Sequence, residues 1–169
     1  MVFQSLWGNT AAIAHAIGAG IGDDAVVGGT ETIDPAVAAE CDLLVIGAPV
    51  HAMTLPTAAT MASVAKRPVH VGDLEPDVNQ PPLREWIDRL PMGGPAAFVA
   101  FDTRVAGFVG RGGTTTIERL MGARGYRMLS KSEGFQVVNR RTVNEAASML
   151  RPGEIERARA WGARLAQLV

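Results

Sequence analysis

Leu43-Leu44-Val45-Ile46-Gly47 is apolar at every position. A strand with one wet face alternates polar and apolar side chains, so an unbroken apolar run belongs to a parallel strand covered on both faces. Pro49 stops it, and Ala96 to Phe101 repeats the pattern further on. Between the two runs, Leu83, Trp86, Ile87 and Leu90 fall at i, i+3, i+4 and i+7, one stripe of a helix behind Pro82. A helix over Thr57 to Ala65 is expected as well. Strand-type and helix-type periods therefore alternate along the chain.

The same alternation continues outward. Met1 to Gln4 is short and extended, and a helical period starts at Thr10 with Ile13, Ile17 and Ile21 spaced four apart. Ala25 to Gly28 reads as a short second strand. Beyond the Ala96 to Phe101 strand, a glycine-rich loop over Asp102 to Gly113 leads into a helix with Ile117, Leu120 and Met121 aligned, ended by Gly125. Tyr126 to Leu129 and Gly134 to Val138 read as a last strand, interrupted or split. Pro152 opens a final helix at its first turn, with Ile155, Ala158, Gly162 and Leu165 facing inward. Parallel neighbours need right-handed crossovers that place helices on both faces, so the expectation is one α/β domain over 1–169 with a doubly wound sheet. In this class ligands sit beyond the carboxyl ends of the strands, where loops 5–10, 48–56 and 102–113 gather. Residues 66–82, with Pro68, Gly72, Pro76, Pro81 and Pro82, read as a surface excursion.

Bulk properties narrow the function classes. With 47 % hydrophobic and 20 % charged residues, the chain is globular rather than disordered. No apolar run approaches the roughly 20 residues of a membrane span, so no membrane partner is expected. A single cysteine, Cys41, permits no internal disulfide and suits a reducing cytoplasm. Residues 1–83 carry two basic and nine acidic side chains, net −7, and residues 84–169 fourteen basic and eight acidic, net +6. That asymmetry marks either arginine-decorated helices or a face for an anionic ligand or partner, and nothing is dense enough for nucleic acid.

The chemistry concentrates in Ser5-Leu6-Trp7-Gly8-Asn9-Thr10. A tight turn from strand into helix leaves main-chain N–H groups unpaired, and the helix dipole adds positive potential. Such a turn is a ready phosphate seat. Gly8 permits close approach, and Ser5, Asn9 and Thr10 add short donors. The absence of Lys or Arg suits a phosphate monoester held by hydrogen bonds and excludes a Walker loop. The competing reading is an ordinary N-cap by Asn9 or Ser5.

This turn resembles the flavodoxin phosphate signature, Ser/Thr-x-Thr-Gly-Asn-Thr, and Ala11-Ala12-Ile13-Ala14 looks like the start of that family's first helix. Asp42 to His51 is similar to the family's third strand and the loop beside the isoalloxazine. The resemblance covers nearly the whole chain and implies a flavodoxin-like, five-stranded parallel sheet in the order 2-1-3-4-5, with FMN as cofactor. Trp7 departs from the signature threonine, although Met-Trp-Gly turns in flavodoxin-like domains of larger flavoproteins are similar. The net charge of −1 departs from the acidity of electron-shuttling flavodoxins. By resemblance, the cofactor site comprises Ser5, Leu6, Trp7, Gly8, Asn9 and Thr10, then Pro49, Val50, His51, Ala52 and Met53, then Phe101, Asp102, Thr103 and Arg104. The main chain after Val50 would meet flavin N5, and His51, Met53 and Trp7 are the residues nearest for stacking. Arg104 would either stabilise a negatively charged reduced flavin and raise its potential, or form a surface pair with Asp102. Past the loop Asp102 to Phe108, Gly107, Gly110, Gly112 and Gly113 make a pliable stretch that either closes over a ligand or connects to the helix.

The function implied is electron transfer through a non-covalent flavin, with a redox protein or small-molecule acceptor as partner. The alternatives are an NAD(P)H-dependent quinone or small-molecule reductase, with the 66–82 excursion supplying a wall, and a flavin-free regulatory domain. His15, on the outer face of the first helix, and His70 show no ligand spacing, and no metal site is expected. Cys41 is expected to be structural. Only four residues precede Ser5, short for a central strand, and the natural chain is expected to begin upstream.

Overall fold

The computed structural model describes residues 1–66, 68, 70, 73–107, 112–138 and 144–169. Its strands are β1 (Val2–Phe3), β2 (Gly28–Gly29), β3 (Leu43–Pro49), β4 (Ala97–Val105), β5 (Arg127–Met128) and β6 (Glu133–Val137). The helices are α1 (Asn9–Ile21), α2 (Pro35–Ala38), α3 (Ala58–Ala65), α4 (Leu83–Asp88), α5 (Gly113–Ala123) and α6 (Glu154–Leu165). The strands form one parallel sheet in the order β2-β1-β3-β4-β5, with β6 also on β4. β5 pairs with Ala97–Phe98 and β6 with Phe101–Val105, so both halves of the split last strand occupy the fifth position. The expected order 2-1-3-4-5 is the order observed.

Burial explains why these segments adopt these forms. The β3 and β4 runs face two separate cores: Leu44, Ile46, Phe98 and Ala100 meet α4 and α5, whereas Val45, Val99 and Phe101 meet α1 and α6. Leu83, Trp86, Ile87 and Leu90, the predicted stripe, are all fully buried. α2 starts on a local signal, with the Asp34 side chain accepting from Ala36 and Val37 amides and Pro35 at the first helical position.

Three boundaries and one helix face differ from expectation. β2 lies at Gly28–Gly29, because the ladder of β1 aligns Val2 with Gly28. β4 runs on to Val105, so Asp102, Thr103 and Arg104 belong to a strand rather than a loop; pairing with β3 and β6 on both sides carries it past the polar residues. α6 begins at Glu154 behind a left-handed Gly153, leaving Pro152 outside. Ile155 is 39 % exposed, whereas Trp161 is buried beside Phe135, because the inner stripe sits one turn further on.

α1 and α6 lie against each other over small residues. A Cβ on Gly162 would overlap the Ile17 carbonyl oxygen, and one on Gly20 would overlap that of Arg159. Gly162→Ala gains about 1 kcal/mol of helix propensity but must push main chain from main chain, which costs about 1–3 kcal/mol. The clash dominates, and urea unfolding is expected to show net destabilisation; a more stable variant would contradict the close approach.

Candidate functional site

A cleft of about 150 Å³ opens at the carboxyl ends of the central strands, lined by Ser5, Leu6, Trp7, Asn9, Thr10, Pro49, Val50, His51, Thr103, Val105, Val137 and Met149. A larger hollow of about 400 Å³ lies at the opposite end, beside Met1, Leu43 and Val37. Position decides between them: in an open parallel sheet the carboxyl edge is where loops converge.

The first wall is the turn between β1 and α1. Gly8 adopts φ 80° as the N-cap of α1 and makes no side-chain capping bond. A Cβ there would stand 3.0 Å from Ala146 Cβ and 3.1 Å from the Ala147 nitrogen, so both conformation and space favour glycine. The amides of Leu6, Trp7, Gly8, Asn9 and Thr10 donate to no acceptor among the described residues. Ser5 Oγ accepts from the Ala11 amide at 3.2 Å, leaving its proton free to donate. Asn9 is no cap: its Oδ1 accepts from the Met149 amide at 3.2 Å, leaving the NH₂ end available. Thr10 and Thr103 share a hydroxyl hydrogen bond of 2.8 Å, tying this wall to β4.

The second wall follows β3. The Val50 amide donates to the Thr103 carbonyl at 2.9 Å, and His51 and Thr54 then close a turn through paired bonds of 2.8 and 3.1 Å. Ala52 and Met53, between them, have φ of 49° and 63°. Two successive left-handed residues are the pattern of a type I′ turn, normally filled by Asn and Gly. Here it costs about 1–2 kcal/mol per residue. Surrounding contacts hold it: Arg84 Nη2 donates to Thr54 Oγ1 at 2.6 Å, and the Met53 carbonyl lies where a Cβ on Gly112 would fall. The Ala52–Met53 peptide bonds to none of the described residues, and both side chains are exposed.

The third wall is the end of β4, where strand alternation sorts the predicted residues. Thr103 and Val105 face the cleft. Phe101, on the same side but one step deeper, is fully buried over Gly47 and edge-on to Phe135, within the core. Asp102 and Arg104 face the other way and pair with each other through Arg104 Nε and Nη2. Asp102 also accepts from the Thr114 amide at 2.9 Å, so it caps α5. The Asp102–Arg104 pair is thus formed as one sequence alternative had it, yet its carboxylate is completely buried rather than at the surface. Gly107 and Gly112 are left-handed, while Phe108 and Gly110 lie outside the described residues.

Sequence reasoning missed Val137, Met149 and Gln80. Val137 ends β6 and Met149 lies outside the named elements, so no local pattern announces that either reaches the cleft. Gln80 belongs to the supposed surface excursion, yet it is 6 % exposed and hydrogen-bonds Ser5. His15 is exposed, edge-on to Phe3. His70 is exposed, Cys41 Sγ donates to the Ala38 carbonyl, and no metal-holding cluster occurs among the described residues. None of the described helices is long and apolar enough to cross a membrane.

No family model matches this sequence, and no curated protein matches it either. Solved structures do. A flavodoxin from the domain Archaea superposes with a TM-score of 0.60 at 15 % identity, covering 98 % of this chain and 94 % of that one. The chain has the flavodoxin fold. Oxidised flavodoxin 1 from Bacillus cereus gives 0.61 at 12 % identity over 100 % and 97 % of the two chains. A WrbA-like flavodoxin from Agrobacterium tumefaciens gives 0.58 at 16 % identity over 99 % and 93 %. The flavodoxin topology places the three walls described above on one edge of the sheet.

Burial raises the Asp102 carboxyl to about 6, against the pull of Arg104 and of the Thr114 amide, with Glu118 adding to the rise. The folded chain therefore holds this proton more tightly than an unfolded one, whose carboxyl titrates near 3.8. The associated stability is complete below that value and is lost as pH rises through about 6. Asp102→Asn is neutral throughout, so its unfolding free energy is expected to climb relative to the unaltered chain across this window. A difference that stays constant with pH in urea titrations would contradict the assignment.

Proposed function

We propose that the chain is an FMN-binding redox protein that passes electrons through a non-covalently held flavin. The observation that carries this reading is the row of five amides, Leu6 to Thr10, at the opening of α1, which find no acceptor among the described residues. Consecutive N–H groups at a helix N-terminus suit a dianionic ester, and among the described residues no lysine or arginine lines the cleft to compete for it. The Ser5 hydroxyl and the Asn9 NH₂ supply further donors on the same side.

The remainder of the cleft fits a flat, largely apolar ring. Trp7, Val50, Val105, Val137 and Met149 furnish apolar surface, and His51 adds one polar edge. Pocket composition of this kind, apolar walls with few directed polar groups, is what flat cofactors require. A bound flavin supplies one- or two-electron transfer, and the protein supplies orientation, access and electrostatics. The Ala52–Met53 peptide, which bonds to none of the described residues, is available to the ring edge. A redox protein or small-molecule acceptor approaches from the same rim, where Ala52 and Met53 are exposed. Arg104, engaged with Asp102, acts on the ring through the field of a neutralised pair rather than as a free cation.

Flavin-free protein is expected to take up FMN, read by quenching of flavin fluorescence and a yellow absorbance band. Gly8→Val, which is forced out of the left-handed region and against Ala146 and Ala147, is expected to weaken FMN about 100-fold or more. Far-UV circular dichroism checks that the variant is folded. Undiminished affinity in a folded Gly8→Val chain would refute the seat.

A further inference from the structure

Ser5 has both of its main-chain groups taken by one distant side chain. Gln80 Oε1 accepts from the Ser5 amide at 2.9 Å, and Gln80 Nε2 donates to the Ser5 carbonyl at 2.8 Å. The same Nε2 donates to Asp77 Oδ2 at 2.9 Å. A buried carboxamide offering one acceptor and one donor to a single residue stands in for a neighbouring strand. Three residues earlier in the chain the pattern continues, with the Asp77 amide donating to the Leu6 carbonyl at 2.8 Å. From the opposite flank, the Ala147 amide donates to the Trp7 carbonyl at 3.0 Å. Within the loop, the Ala12 amide donates to the Gly8 carbonyl at 2.9 Å. Asn144 links the two flanks, accepting from the Leu74 amide at 2.8 Å and donating to Asp73 Oδ1 at 3.2 Å.

Each carbonyl from Ser5 to Gly8 is thus held from outside the seat or by the helix behind it. In a trans peptide the C=O of one residue and the N–H of the next point in opposite directions within one rigid plane. Fixing the Ser5 carbonyl fixes the Leu6 N–H, and fixing those of Leu6, Trp7 and Gly8 fixes the N–H groups of Trp7, Gly8 and Asn9. We propose that Gln80 is the positioning residue of the phosphate seat, holding the Ser5 carbonyl outward so that the first amide of the row turns toward the phosphate. The proposal rests on the FMN reading above and deepens it: the 73–80 segment makes the site selective for a phosphorylated flavin without touching the ligand.

The test compares two flavins, FMN and riboflavin, which differ only in the phosphate. In Gln80→Met, FMN affinity is expected to fall about tenfold or more while riboflavin affinity stays within about twofold of the unaltered chain. General loosening of the fold would weaken both flavins together, leaving their ratio as it was, and would overturn the proposal. Gln80→Glu places carboxylate oxygens against the Ser5 carbonyl and Asp77. Its FMN-to-riboflavin ratio, taken relative to the unaltered chain at each pH, is expected to recover on acidification as the new side chain regains a proton to donate. An unaltered ratio at every pH counts against the assignment. Should neither variant fold, amide spectra of the unaltered chain decide: the Gln80 NH₂ resonances shift with FMN and not with riboflavin if the proposal holds, and ignore both if it fails. An unaltered chain that binds neither flavin would strike at the FMN reading itself.

Discussion

The rigidity of the trans peptide plane is the constraint on which this site depends. Main-chain amides are poor anion ligands when free to turn, because each orientation must be bought with conformational entropy on binding. Here the orientation is set beforehand by hydrogen bonds on the carbonyl side of each plane. Such an arrangement needs a stable base. β1 is only two residues long, but it pairs with β2 on one side and β3 on the other. Gln4 continues the ladder through its amide to the Gly47 carbonyl at 3.0 Å. Its side chain accepts from the Leu83 amide at 3.1 Å, so the root of the loop is tied to α4 as well.

The other two walls obey a different economy. The 51–54 turn carries left-handed Ala and Met where glycine would be relaxed, and the α5 N-terminus is pressed against it. Gly113 has Asp102 Oδ2 and Val50 Cγ2 within 2.6 and 2.9 Å of where a Cβ would stand. The strained turn, the capping carboxylate and the glycine pair thus form one packed unit behind the cleft. Local strain that persists because its surroundings leave no alternative is a common mark of ligand sites.

Much of this was legible in the residues themselves. The all-apolar Leu43 to Gly47 run, the stripe from Leu83 to Leu90 and the Ser5 to Thr10 turn specify the sheet, a helix and the cleft's first wall through local pattern alone. Asp34-Pro35 is likewise a helix start written in local sequence, an N-cap carboxylate followed by proline. Other features have no local signature. Asp102 and Arg104 look like loop residues, but the β3 and β6 ladders on either side carry β4 through them, and their mutual pairing with α5 behind them satisfies the buried carboxylate. Ala52-Met53 lacks the Asn-Gly composition that announces a type I′ turn. Gln80 acts across 75 residues of sequence, within a proline-rich stretch whose composition suggests solvent.

The most direct measurement of the central idea is a set of amide ¹H–¹⁵N spectra recorded as FMN is added. Hydrogen bonding to a phosphate deshields the donating proton, so the Leu6, Trp7, Gly8, Asn9 and Thr10 resonances should move downfield together and saturate with the flavin signal. If FMN binds while these five remain in place, the anion is held elsewhere and the account is wrong.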